Sequence, residues 1–113
     1  MSISWGVKDR FRFVAAGSLV SWDPPPVTGI YAITANQNPE RPKAQTILYL
    51  GQAENLSADA PEQIRQVLDA WKNSSQDVRE LSVFIHVMPG SNSGELAKVQ
   101  EQLVSEYRPR CNR

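Results

Sequence analysis

Two short segments limit what this chain can fold into more than any other feature: Gly29-Ile30-Tyr31 and Tyr49-Leu50-Gly51. The first lies in an apolar run from Thr28 to Thr34, the second in another from Thr46 to Gly51. Both read as strands, because β-branched and aromatic residues suit a half-buried pleated surface. The connection from Asn36 to Ala44 contains Pro39 and Pro42. Each withholds a ladder donor, so the connection is predicted to turn. A hairpin that places Tyr31 and Tyr49 on neighbouring strands is the simplest local solution.

The N-terminal segment is less periodic. Arg10 to Val14 alternates polar and apolar residues, as a strand with one wet face should, and Ser18 to Trp22 reads as a second short extended piece. Asp23 and three prolines, Pro24 to Pro26, stiffen the entry to the Gly-Ile-Tyr run. After the hairpin, Gln52 to Ala60 reads as a loop and Pro61 as the first turn of a helix. Ile64, Val67, Leu68 and Trp71 fall on one helical face, and the helix is expected to end at Asn73 to Ser75. Leu81 to Met88 is a third strand, stopped by Pro89 and Gly90. Asn92 and Glu95 have capping-box spacing ahead of a helix from about Gly94 to Tyr107, whose apolar stripe is Leu96, Val99, Leu103 and Tyr107. Pro109 ends it. The expected order is strand, strand, helix, strand, helix, with an additional N-terminal strand as an option, which makes an α+β domain with a small sheet covered by helices. The chain reads as one domain, with residues 1–26 an extension and residues 27–113 the core.

Composition excludes several classes. At 41% hydrophobic and 21% charged, the 113 residues fit a globular domain rather than a disordered or fibrous chain. The apolar runs fall far short of the ~20 residues of a membrane helix, and the start of the chain does not read as a secretory leader. The single cysteine, Cys111, has no partner for an internal disulfide. A cytoplasmic protein with no membrane association is expected. Twelve basic residues balance twelve acidic ones, so composition gives duplex binding no support, since that binding draws on displaced counterions. Lys8, Arg10 and Arg12, with Arg108, Arg110 and Arg113, could still form local basic strips, although most such side chains are simply solvated. His86, the only histidine, is expected to be a hydrogen-bonded, partly buried side chain. Trp5, Trp22 and Trp71 read as core or edge aromatics, and Cys111 as a small filler.

The Gly-Ile-Tyr and Tyr-Leu-Gly segments, their spacing and the order of elements resemble the GIY-YIG nuclease superfamily, with Leu50 in place of the usual Ile or Val. The resemblance implies a small antiparallel three-stranded sheet flanked by helices. Residues 52–56 are similar to the family's segment after the second motif, and residues 101–112 to its closing helix and tail. The resemblance implies DNA as substrate and phosphodiester hydrolysis with one divalent cation, Mg²⁺ or Mn²⁺. It further implies a tyrosine that activates water, an arginine that holds the phosphate and a helix glutamate that binds the metal. Cations must sit close to a phosphate that accumulates charge, and a hard cation requires oxygen ligands, preferably carboxylate. By position, Tyr31 and Tyr49 match the tyrosines, Gly51 ends the second motif and Gln52 follows it, and Asn112 matches the tail asparagine. Gly51, Gln52 and Asn112 are candidate substrate contacts.

Two groups depart from the pattern. Asp59 stands where the arginine is expected, leaving Arg65 as the nearest substitute. Gln100 stands where the metal-binding glutamate is expected. Its neighbour Glu101 is turned a further ~100° toward water on the helix, and an amide cannot neutralise a dication. The expectation is a catalytically impaired, nuclease-like domain that binds nucleic acid or protein. The alternative is an active metal-dependent endonuclease that uses Arg65 with Gln100 or Glu101. A third reading has the fold converge on this motif order and bind a protein partner through an edge strand at Arg10 to Val14.

Overall fold

The computed structural model describes residues 2–36, 40, 45–71 and 81–112, and leaves the side chains of residues 70 and 71 undescribed. The expected turn within residues 36–44 (apart from Asn36 and Glu40), the helix end at residues 73–75, the Trp71 side chain and Arg113 lie outside these residues. In chain order the elements are β1 (Ser2–Trp5), β2 (Phe11–Ser18), β3 (Gly29–Asn36), β4 (Gln45–Ala53), α1 (Leu56–Trp71), β5 (Leu81–Val87) and α2 (Ser93–Tyr107). One-turn 3-10 helices occupy Leu19–Ser21 and Arg110–Asn112.

The sheet is larger than the sequence implied. Among the described residues five antiparallel strands run in the order β1-β2-β5-β3-β4 and curl into a half-barrel, which corrects the expected three-stranded sheet. The N-terminal segment contributes a hairpin, β1 and β2, rather than one optional strand. It escaped notice because Ser2–Trp5 is only four residues long and carries no turn signal beyond Gly6. The segment expected as an edge strand, Arg10 to Val14, pairs with β1 along one side and meets β5 at Val14, so β1 and β4 form the edges instead. Residues 18–22, expected to be extended, include the 3-10 turn.

Each face of the sheet buries its own cluster. Alternation along β3 sends Tyr31 and Ile33 to one side and Ile30 and Ala32 to the other. Helix α1 covers the first side with Leu56, Ala60 and Val67, and α2 the second with Leu96 and Leu103. α1 starts five residues before Pro61, which is therefore inside it. Asn55 makes this possible, because its Oδ1 accepts the Ser57 N–H at 3.1 Å and caps the first turn. Pro61 then costs only the bond to the exposed Ser57 carbonyl. α2 carries the capping box read from the sequence: Asn92 Oδ1 accepts from Glu95 N–H at 2.9 Å, and Glu95 Oε1 from Asn92 N–H at 3.2 Å. Among the described residues no helix is long and apolar enough to cross a membrane.

Candidate functional site

The two motif segments lie side by side in the β3–β4 ladder, where Tyr31 pairs with Gly51 and Ile33 with Tyr49. Between Ile33 and Thr34 the register shifts, and Leu48 becomes an extra residue on β4. Such a bulge re-aims the side chains beside it. Leu48 and Tyr49 therefore both join the cluster under α1, on the same side as Tyr31. The two phenol rings lie 5.9 Å apart at 51°, with Trp22 on Tyr31 at 5.5 Å.

The motif glycines have packing reasons. A Cβ on Gly51 would run into the Tyr31 ring, within 2.5 Å of its hydroxyl oxygen, so the bare backbone is what admits the phenol. A Cβ on Gly29 would come 2.5 Å from the His86 carbonyl oxygen on β5, so this glycine permits close approach of two strands. Neither glycine has the positive φ that would signal a turn.

Tyr31 is fully buried. Its hydroxyl donates to Gln63 Oε1 at 2.7 Å, and Gln63 Nε2 donates to the Gln52 carbonyl at 3.2 Å. Gln63 thus ties both strands of the hairpin to α1. Burial pushes the Tyr31 phenol far above its ordinary pKa, and the neighbouring Tyr49 raises it further. Half-buried Tyr49 is also raised by burial, while its hydrogen bond with Tyr31 works in the opposite direction. Both are neutral phenols at physiological pH. Sequence reasoning missed Gln63. The available signal was its position, three residues after Ala60 and four before Val67, which puts an amide on the buried stripe.

The remaining expected residues are placed elsewhere. Asp59 is exposed in the first turn of α1, where a carboxylate suits the helix dipole. Arg65 is exposed and pairs with Glu62 at 2.6 Å. Two residues beyond Gln63, it is turned about 200° around the helix from the phenols. Gln100 and Asn112 converge on the peptide of Leu50 at the β4 edge. Gln100 Nε2 and Asn112 Nδ2 donate to the Leu50 carbonyl at 2.9 and 3.0 Å, and Asn112 Oδ1 accepts the Leu50 N–H at 2.8 Å. The asparagine amide thereby imitates a further strand and closes the edge at that point. Glu101 is exposed on α2, which packs on the sheet face away from the phenols. The Gln52 side chain is half-buried and, opposite Ile30 and two residues from Leu50, lies on the α2 face, away from the phenols.

This donor set does not fit Mg²⁺ or Mn²⁺. The phenols are neutral and buried, and the amide oxygen of Gln63 already accepts a hydrogen bond, whereas a hard dication requires charged or several free oxygens. Among the described residues no three His, Cys, Asp or Glu side chains converge in a way that could hold a metal.

On the same sheet face, beyond the reach of α1, an open groove of about 530 Å³ runs between β2 and β5. Val14, Ala16, Ile85 and Val87 form its apolar walls and Arg12 stands at one end. Val14 is 50% exposed and Val87 47%. His86 lies on the other face, between Phe11 and Phe13 at 5.4 and 5.5 Å. Its Nδ1 is 2.8 Å from the Arg12 carbonyl, which can only accept, so Nδ1 carries the proton.

Comparison with protein-family models, with curated proteins and with solved structures returned no match to this chain.

Proposed function

We propose that the chain is a degenerate relative of the GIY-YIG nucleases that works as a binding module and does not hydrolyse phosphodiesters. The burial of Tyr31 carries this reading. A phenol that is shielded from solvent, bonded to Gln63 and raised in pKa is poorly suited to activate water at neutral pH. Two further placements support it. Gln100 spends its amide on the β4 edge, and Arg65 faces solvent with Glu62 as its partner. Gln100, at the position of a nuclease's metal ligand, instead ties α2 to β4, and Arg65 is occupied within its own helix. Zero net charge and an apolar open groove favour a protein partner over DNA. Cytoplasmic residence belongs to the same proposal.

The test is cleavage. Purified protein incubated with labelled branched, nicked and single-stranded DNA and Mg²⁺ or Mn²⁺ is expected to leave every substrate intact. Metal-dependent cleavage that disappears in Tyr49→Phe would overturn the proposal in favour of an active endonuclease.

A further inference from the structure

The groove between β2 and β5 exists because the two halves of this sheet face are treated differently. Over β3 and β4, Leu56, Ala60 and Val67 of α1 close the surface. Over β2 and β5, Val14 and Val87 remain about half exposed although they sit on interior strands. Alternation along β2 places Arg12 and Val14 on one side, and the bulge at Ala16 turns Ala16 to the same side. Arg10 immediately precedes the strand, so the apolar strip runs into Arg12 with a second cation close by in the chain. Arg12 is exposed, and its guanidinium makes no hydrogen bond or ion pair among the described residues. Among the described residues the Arg10 guanidinium donates only to the Ser4 carbonyl, at 3.1 Å, which leaves its charge uncompensated by any of them. An apolar surface on central strands with unneutralised positive charge at one end has a defined complement: apolar side chains followed by a carboxylate.

The shape narrows the partner further. The groove is open on its solvent side, whereas a small-ligand site encloses most of its ligand. An extended segment can lie along the strip with its side chains down and its backbone in water.

We propose that this groove docks a short segment of a partner protein in which one or two large apolar residues precede an aspartate or glutamate that meets Arg12 and Arg10. This rests on the reading of the domain as a binding module and specifies its surface and partner chemistry.

The experiment uses the full chain, with fluorescent ten-residue peptides as probes. One panel carries two leucines followed by aspartate, a second the same leucines followed by lysine, and a third serines followed by aspartate. Binding is read by anisotropy and by amide shifts in a nitrogen-15 spectrum. The leucine–aspartate panel is expected to bind and to shift the amides of Val14, Ile85 and Val87, with the other two panels at least about tenfold weaker. The lysine panel is weakened through loss of the charge-assisted contact and the serine panel through loss of apolar burial. Arg12→Glu should reverse the preference between the aspartate and lysine panels. Val87→Ser should weaken both leucine panels without changing their ratio. Both positions are exposed, and a thermal melt confirms that each variant folds. The inference is overturned if no panel shifts those amides, if Arg12→Glu leaves the preference unchanged, or if a single-stranded oligonucleotide or decanoate shifts them where the peptides do not. The cleavage assay separates the two levels of argument. DNA hydrolysis would sink the binding-module reading, whereas intact DNA with silent peptides would sink the groove alone.

Discussion

On the α2 face of the sheet, Trp5 packs on Phe13 and Phe84 with ring centroids 5.0 and 5.3 Å apart, and Leu96 and Leu103 close over them. On the α1 face, the largest buried side chain among the described residues is a phenol that needs an amide partner, and the surface around Val14 and Val87 stays open. The difference begins with the strands. Phe11 and Phe13 of β2 point toward α2, while Arg12 and Val14 point the other way. α2 is then tied to the β1–β2 turn: Tyr107 Oη accepts the Gly6 N–H at 2.7 Å and Glu106 Oε1 the Val7 N–H at 2.8 Å. One face is an aromatic core joined to the N-terminal hairpin. The other is built around the Tyr31–Gln63 hydrogen bond and leaves room for a partner over β2 and β5. Stability is expected to reside mainly in the first face and recognition in the second.

The largest effect that tests this contrast is Phe84→Ala. Phe84 is almost fully buried against Trp5, and its removal should cost about 3–5 kcal/mol through lost transfer energy and an unfilled cavity. Urea unfolding measures it. A cost near that of an exposed substitution would show that the α2 face does not dominate the core.

Gly51→Ala comes next. The added methyl meets the Tyr31 ring, and overpacking of this kind costs about 1–3 kcal/mol. Its signature is coupling. In a double-mutant cycle with Tyr31→Leu, the combined loss should be smaller than the sum of the single losses, because the shortened side chain frees the space the methyl needs. Strict additivity would refute the packing explanation for the motif glycine.

How much of this was legible in the sequence follows the range of each interaction. The Tyr31 and Tyr49 strands, the capping box at Asn92 and Glu95, and the stripe through Leu96 and Leu103 are local patterns, and each forms where its spacing predicts. β1 was not legible, because a four-residue strand owes its existence to pairing with β2 rather than to its own composition. Pro61 misled, because its preference for the first turn of a helix was outweighed by a cap at Asn55, six residues earlier. At the site, the tyrosines and glycines stood out by spacing alone. Gln63 did not, since a glutamine on a helical stripe signals nothing until a buried hydroxyl is known to face it. The roles of Gln100 and Asn112 depend on contacts 50 and 62 residues away in the chain, beyond any local pattern.

The smallest effect concerns the phenols and has a definite pH direction. Tyr31 and Tyr49 have raised pKa values in the folded protein, while in the unfolded chain they titrate near the ordinary tyrosine value of 10.0. Below that pH both states hold the same phenolic protons, and the contribution to stability is fully present. Above it the unfolded chain releases protons that the folded one keeps, so stability should fall as pH rises toward the folded pKa values. Unfolding midpoints measured from about pH 9 to 11 are expected to decline, given the usual tyrosine range. Tyr31→Phe should lower stability at neutral pH by about 1–2 kcal/mol, because Gln63 Oε1 loses its donor. The same substitution should also flatten the alkaline decline, since the most strongly shifted phenol is gone. A decline of unchanged slope would mean that Tyr31 ionises freely in the folded state. That would restore it as a candidate base and erase the contrast between a structural phenol and a catalytic one.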